Sequence, residues 1–334
     1  LALARSDRAG VPVAGRAAEI AALRAVGARR ASLGRIFEGH LNGAQLVARC
    51  GTESQRRAAD AAIAAGHVFG VWNTQDPGEP LRIERSGDDV FRLHGAKNWA
   101  SGAGSITRPI VTAAWPDGGV QMCLVPMERA GARVDASDWK PLGMHESDSF
   151  RVVFDGVTLT ADDLIGAPGD YERQPWFFAG ALRFTAVQTG IAERLAGETA
   201  TYLRGLGRDG DPFQCQRVAE MSIAVRTAVA WLDLGRRAWC AFDAQPTEVS
   251  AAEVLEVVDM ARTAVERAAR ETVEHAIRCV GAHGLVEPLP FAALVRDLQM
   301  YLRQPAPDAA LMRVGRAAFA RAGDGPGTIA PPTG

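Results

Sequence analysis

The stretch His94–Gly104, HGAKNWASGAG, decides how this chain is read. The residues leading into it alternate, with Val90, Arg92 and His94 on one side and Phe91 and Leu93 on the other. That is the period of two expected for a half-buried strand. The strand reaches a bulky indole, Trp99, and passes at once into Ala-Ser-Gly-Ala-Gly. A strand, a core Trp and a turn would account for this. So would a flat molecule against Trp99 with a polar edge at Ser101.

Outward from this stretch, HVFGVWNT, LRIERS, VFRLHGAKNW, RPIVTAAW, VQMCLVPM and SFRVVFDGVTL are short and rich in Val, Phe and Trp. Turn residues such as SGDD and PDGG separate them, which predicts an antiparallel β domain, a small barrel or sandwich, over 67–168. Strands do not alternate with helices, which excludes a doubly wound sheet.

The flanks are helical. In 1–66, GRAAEIAALRAVG places Ala17, Ile20, Ala21 and Leu23 on one face, with Gly27 as the expected stop. Leu33, Ile36, Phe37 and Leu41 repeat the spacing, and a third helix starts at a Thr52 N-cap and ends at Gly66. In 169–320, Val218, Met221, Val225, Ala228 and Leu232 form one stripe. Leu255, Val258, Ala261, Val265, Ala268 and Ile277 form another along a helix expected over 251–280. Such length suits an antiparallel bundle that packs on a second subunit. The Gly/Pro-rich 321–334 reads as a flexible tail, and the opening Leu1 leaves room for residues ahead of it. The fold class is therefore α+β, mostly α: an N-terminal helical domain, a central antiparallel β domain and a C-terminal helical bundle.

The chain has 334 residues, 47% of them hydrophobic and 23% charged, which is the balance of a soluble globular protein. A net charge of −2 gives no reason to expect nucleic acid or a membrane surface as partner. Five scattered cysteines without a CxxC read as reduced thiols in a cytoplasmic protein. There is no apolar run of membrane-spanning length, no GxxxxGK[ST], no HExxH and no GxSxG. The six histidines lie far apart, so no metal site is expected.

Helices, β domain and helices, with GVWNTQDP and then LHGAKNWASGA, resemble the acyl-CoA dehydrogenase superfamily. KPLGMHESDSFRVVFDGVTLTADDLIG, FAGALRFTAVQTGIAERL and HAIRCVGAHG…VRDLQMYL match further family segments in the family's order. The resemblance covers roughly 15–315. It implies FAD, with Trp99 beside the isoalloxazine ring, Ser101 near its N5 edge, Thr74 on its pyrimidine side and Gly102 allowing close approach. It also implies a homodimer or homotetramer. A neighbouring subunit's glycine turn, here Arg278, Gly281 and Gly284 with Ala282 replacing the second glycine, would meet the far end of the cofactor. Arg208 and Phe213 are a loose counterpart of a further contact.

The resemblance breaks at the catalytic base. The family's usual Glu follows the Arg-Asp pair, where this chain has Gln304 and Pro305. In another branch the base begins the first bundle helix, where Arg173 aligns and Glu172 is one residue away. The remaining candidates are His40, whose ordinary pKa suits proton transfer near neutrality, then Glu172, then Asp308. Each has an ordinary structural reading: a half-buried His, a helix-start acid and a solvated loop acid. The implied function is an FAD-dependent oxidoreductase acting on an acyl thioester, with an electron acceptor that the residues do not name. The alternatives are a flavin-dependent oxidase or monooxygenase, and a non-catalytic subunit of a larger dehydrogenase.

Overall fold

The structure, a computed structural model, describes residues 3–323. The sequence 324–334, most of the expected tail, lies outside the described residues, whereas 321–323 finish the last helix.

Three helices come first: α1 (Arg16–Arg29), α2 (Ala31–Cys50) and α3 (Glu53–Ala64). Thr52 caps α3 through a reciprocal pair with Gln55. Gly27 does not stop α1. A Cβ there would lie 2.4 Å from Val187 O, and one at Gly190 would lie 2.0 Å from Arg24 O. The two glycines let α1 cross a later helix at backbone contact.

Ten strands follow among the described residues: β1 (Phe69–Trp72), β2 (Arg82–Arg85), β3 (Val90–His94), β4 (Ala96–Ala100), β5 (Arg108–Ala114), β6 (Val120–Leu124), β7 (Arg133–Asp135), β8 (Phe150–Val153), β9 (Val157–Thr160) and β10 (Leu164–Ile165). A short helix, α4 (Met127–Ala130), lies between β6 and β7. One sheet runs β10-β6-β5-β2-β3-β9, with β1 also on β5, and the second runs β4-β8-β7. Pairing is antiparallel except where β1 and β2 meet β5. VFRLHGAKNW, expected as one strand, is two strands in two sheets. The break is Gly95, at φ +107°, where a Cβ would meet Pro80 O at 2.6 Å. Trp72, Ile83, Leu93, Val152 and Phe154 fill the core between the sheets.

The remaining helices are α5 (Trp176–Ala179), α6 (Ala181–Gly205), α7 (Pro212–Ala244), α8 (Glu248–Gly284), α9 (Phe291–Tyr301) and α10 (Pro307–Gly323). The helices α6, α7 and α8 form the bundle, with α1 and α2 laid on α6. The backbone of α8 breaks at Gly281, φ +61° and ψ −170°. Among the described residues, no helix is long and apolar enough to cross a membrane.

Candidate flavin site

Trp99 sits on a bulge. The β4–β8 register shifts between Lys97 and Ala100, and Trp99 adopts φ +54°. A left-handed backbone costs a non-glycine residue about 1–2 kcal/mol. Here it turns the indole out of the sheet, leaving it 53% exposed. Trp139 meets it edge-on at 5.7 Å.

Three cavities share this indole as a wall. The first, about 460 Å³, holds Ser101, Ser147, Ser149, Met144 and Met300, with Thr74 at its edge. Its hydroxyls form a chain, Ser101 Oγ to Ser149 Oγ at 2.9 Å and Ser149 Oγ to Ser147 Oγ at 2.9 Å. The second, about 350 Å³, opens beyond Thr74 between α2, α5 and α8 and is bordered by Glu38, Arg49 and Trp176. The third is a groove of about 1070 Å³ along α8, past Arg267 and Arg270.

Distant sequence segments hold this arrangement together. Asp297 Oδ1 accepts from Met144 N–H at 2.6 Å. Burial raises the Asp297 carboxyl above its ordinary value, and that N–H bond works against the shift. A Cβ on Gly143 would lie 2.4 Å from the Arg296 backbone, so the Leu-Gly-Met and Arg-Asp segments fit each other directly. The turn at His145–Ser147 then reaches the glycine run, because Gly102 N–H donates to Ser147 O at 2.7 Å. Arg151 binds Asp76 at 2.8 Å, and Asp76 caps Gly78 and Glu79, shaping the loop that carries Thr74.

Glu38 is the one carboxylate bordering the 350 Å³ cavity among the described residues. Its Oε2 accepts from Arg35 at 2.6 Å and from the Tyr301 hydroxyl at 3.3 Å. Behind Trp99, Lys97 is fully buried and donates to Asn73 O and Thr112 Oγ1, both at 2.9 Å. Burial without a carboxylate partner pulls its amine down to about 7. No cluster of three metal-ligating side chains exists among the described residues.

Similar proteins share this plan. No family model matches the chain. Dibenzothiophene monooxygenase of Rhodococcus erythropolis is 26% identical over 226 residues, covering 62% of this chain and 54% of that protein. The short-chain specific acyl-CoA dehydrogenase of Bos taurus is 24% identical over 273 residues, 76% of this chain and 63% of that one. The chain thus spans about half the length of the curated monooxygenases it matches. The FMN-bound structure of TdsC from Paenibacillus sp. A11-2 superposes with a TM-score of 0.83 at 22% identity, over 91% of this chain and 83% of that one.

This chain has the acyl-CoA dehydrogenase fold.

Thr74, Trp99 and Ser101 border one cleft. Gly102 needs its glycine for another reason: a Cβ there would meet Ile106 at 2.7 Å and Ile36 at 3.4 Å, so protein occupies that space. None of the three candidate bases borders the cavities at Trp99. His40 is on the opposite face of α2, where its Nδ1 accepts from Phe69 N–H at 3.0 Å. Burial lowers its pKa, and an acceptor so engaged is not a free base. Glu172 and Asp308 are exposed, the latter in the first turn of α10.

None of the second set, Arg278, Gly281, Gly284, Arg208 and Phe213, borders the three cavities at Trp99. Arg278 is exposed and paired with Glu274 at 2.6 Å. Gly281 is open to solvent at the helix break, and Gly284 packs on Val280. Arg208 pairs with Asp211 at 3.5 Å, and Phe213 is 68% exposed. Periodicity did not single out Glu38, Arg49 or Lys97. Glu38 and Arg49 lie on the α2 face that the apolar stripe leaves over, which was the available signal.

Proposed function

We propose that this chain is a flavin-dependent oxidoreductase of the monooxygenase kind, with FMN as its cofactor. The observation that carries this reading is the pair Gln304-Pro305, which borders the cavity where the dehydrogenase base would be. Proline cannot take a proton, and the nearby Glu38 is held by Arg35 and Tyr301. A positioned base is worth about 10²–10⁴-fold, so α-proton abstraction has no ready agent here.

The cleft fits an isoalloxazine ring. Trp99 offers a flat apolar wall, the serine hydroxyls offer donors and acceptors, and the methionines adapt to the ring's outline. Arg267 and Arg270, neither with a carboxylate partner among the described residues, line the groove where a phosphate would lie. FAD would extend further, to the Arg278 and Gly281 turn of a neighbouring subunit, and the Arg278–Glu274 pair weighs against that. When bound and reduced, flavin supplies the two electrons with which one atom of dioxygen enters substrate and the other leaves as water. The chain's own part is to hold the ring edge beside Thr74 and Ser101 and to keep the 350 Å³ cavity shielded from bulk water.

A second reading is favoured by Glu38 Oε1, which has no partner among the described residues: dehydrogenation with Glu38 as base. One experiment separates the two. The flavin-loaded protein is mixed with acyl-CoA thioesters under anaerobic conditions, and separately its reduced form is mixed with dioxygen. We expect the oxidised spectrum to persist in the first case and substrate-dependent reoxidation in the second. Bleaching by an acyl-CoA, abolished by Glu38→Gln, would replace this proposal with the dehydrogenase. Mass spectrometry of the released cofactor decides FMN against FAD. A homodimer or homotetramer belongs to the proposal, supported by the exposed Phe213 and the open groove on α8. Sedimentation at micromolar concentration checks it.

A further inference from the structure

The 350 Å³ cavity carries positive charge that the proposed chemistry at Trp99 does not use. Five arginines border it. Three have carboxylate partners: Arg35 with Glu38 at 2.6 Å, Arg183 with Glu19 at 3.0 Å, and Arg313 with Asp259 at 2.7 and 2.8 Å. Arg49 and Arg262 have none among the described residues, although both are half-buried. Arg262 donates to Pro305 O at 2.9 Å, and the acids nearest it, Asp259 and Glu266, are taken by Arg313 and Arg303.

Arg49 is the more exceptional of the two. It lies 4.9 Å over the Trp176 ring, and its charged neighbours, Arg183 and Arg16, have the same sign. The Cys50 thiol beside it is a weak acceptor that burial keeps protonated. Even Glu19, the partner of Arg183, is shared with Arg16. A guanidinium removed from water without a counter-charge is costly, and an anion supplied by a ligand offsets that cost. Around it the walls are aromatic: Trp176, Phe177, Phe178 and Phe184. Arg49 and Leu46 border only this cavity, while Thr74, Gln304 and Trp99 also border the flavin cleft, so Arg49 marks the end away from the ring.

We propose that the substrate is a small aromatic carboxylate, its carboxylate at Arg49 and its ring along the aromatic wall towards Trp99. The binding claim stands on the cavity alone; only the statement that the bound acid is then oxidised rests on the flavin-dependent reading. Reaction takes place at the end of the molecule remote from the carboxylate.

Calorimetric titration of the purified full chain with 2-naphthoate and with its neutral counterpart 2-naphthamide tests this, with flavin content read separately by absorbance. A charge-assisted hydrogen bond is worth about 1.5–3 kcal/mol, so the acid should bind roughly tenfold or more tightly than the amide. Arg49→Met should bring the ratio to about one while amide affinity holds, which also reports an intact cavity. Arg49→Lys should keep part of the preference, weakened by salt. Equal binding of acid and amide by the unmodified protein, or no binding of either, overturns the proposal, as does an unchanged ratio in Arg49→Met. Acid preference in a protein that binds no flavin would sink the oxidoreductase reading and leave this one standing.

Discussion

Two tryptophans flank Ser101 and meet opposite fates. Trp72 closes β1, is 1% exposed, and donates its indole N–H to Ser101 O at 2.9 Å. Trp99 is the next-to-last residue of β4, is 53% exposed, and accepts the Ser101 N–H on its own carbonyl at 2.9 Å. Both stand near the end of a short strand and both adjoin an Asn. The difference is in the backbone: β1 keeps its register with β5 through Trp72, whereas the β4 ladder slips at Trp99. One indole became core and the other a wall, because a bulge reverses which way a strand's side chain points.

This contrast can be broken experimentally. The largest effect is expected from Trp72→Ala, which empties a buried site against Phe154 and orphans Ser101 O. It should cost about 3–5 kcal/mol of stability in denaturant titrations. A loss below about 1 kcal/mol would mean that Trp72 is not the core residue its burial indicates.

The next effect tests a residue that sequence placed in the cavity and packing placed elsewhere. His40→Ala leaves the Phe69 N–H without its acceptor and should cost about 1–3 kcal/mol. Turnover of the folded variant should stay close to that of the unmodified protein. Loss of turnover at unchanged stability would return His40 to the active site. The His40 pKa lies below its unfolded value, so the native state binds fewer protons just under pH 6.5. Its contribution is therefore present above about that pH and lost as pH falls through the folded pKa. His40→Gln should blunt the loss.

Trp99→Ala should behave in the opposite way to Trp72→Ala. Its stability change should stay within about 1 kcal/mol, because the indole is exposed, while flavin affinity falls about tenfold, or about 1.4 kcal/mol. Trp99→Gly should recover some stability by relieving the left-handed backbone without restoring flavin. Wild-type flavin content in the double variant Trp99→Ala, Ser101→Ala would remove the cofactor from this cleft.

The most gradual effect belongs to Lys97. Its folded pKa of about 7 is far below the ordinary 10.5, so between those values the unfolded chain holds a proton that the native one has released. Stability should rise with pH across that window, by at most about 1.4 kcal/mol per pH unit, and the gain is lost as pH falls towards 7. Lys97→Met should flatten the profile. An unchanged slope would mean that the amine stays charged in the fold.

Much of this protein was legible in its residues. Period-two runs located the strands, helical stripes located the bundle, and the family resemblance grouped Trp99, Ser101 and Thr74 as one set. Other features were not legible, for identifiable reasons. Gly27 resembles a helix stop, and only its approach to Val187 O shows a crossing. The two sheets joined at Gly95 resemble one strand, since a single φ divides them. His40 and Glu38 are two residues apart on one helix, and periodicity separates their faces without saying which meets β1 and which meets the cavity. Local pattern determines the elements because it reflects short-range sterics and the burial of one face. Which charges remain unpaired, as at Arg49, depends on contacts between segments more than a hundred residues apart. Only tertiary packing decides those, because the energy of a buried charge is set by what surrounds it and not by its neighbours in the chain.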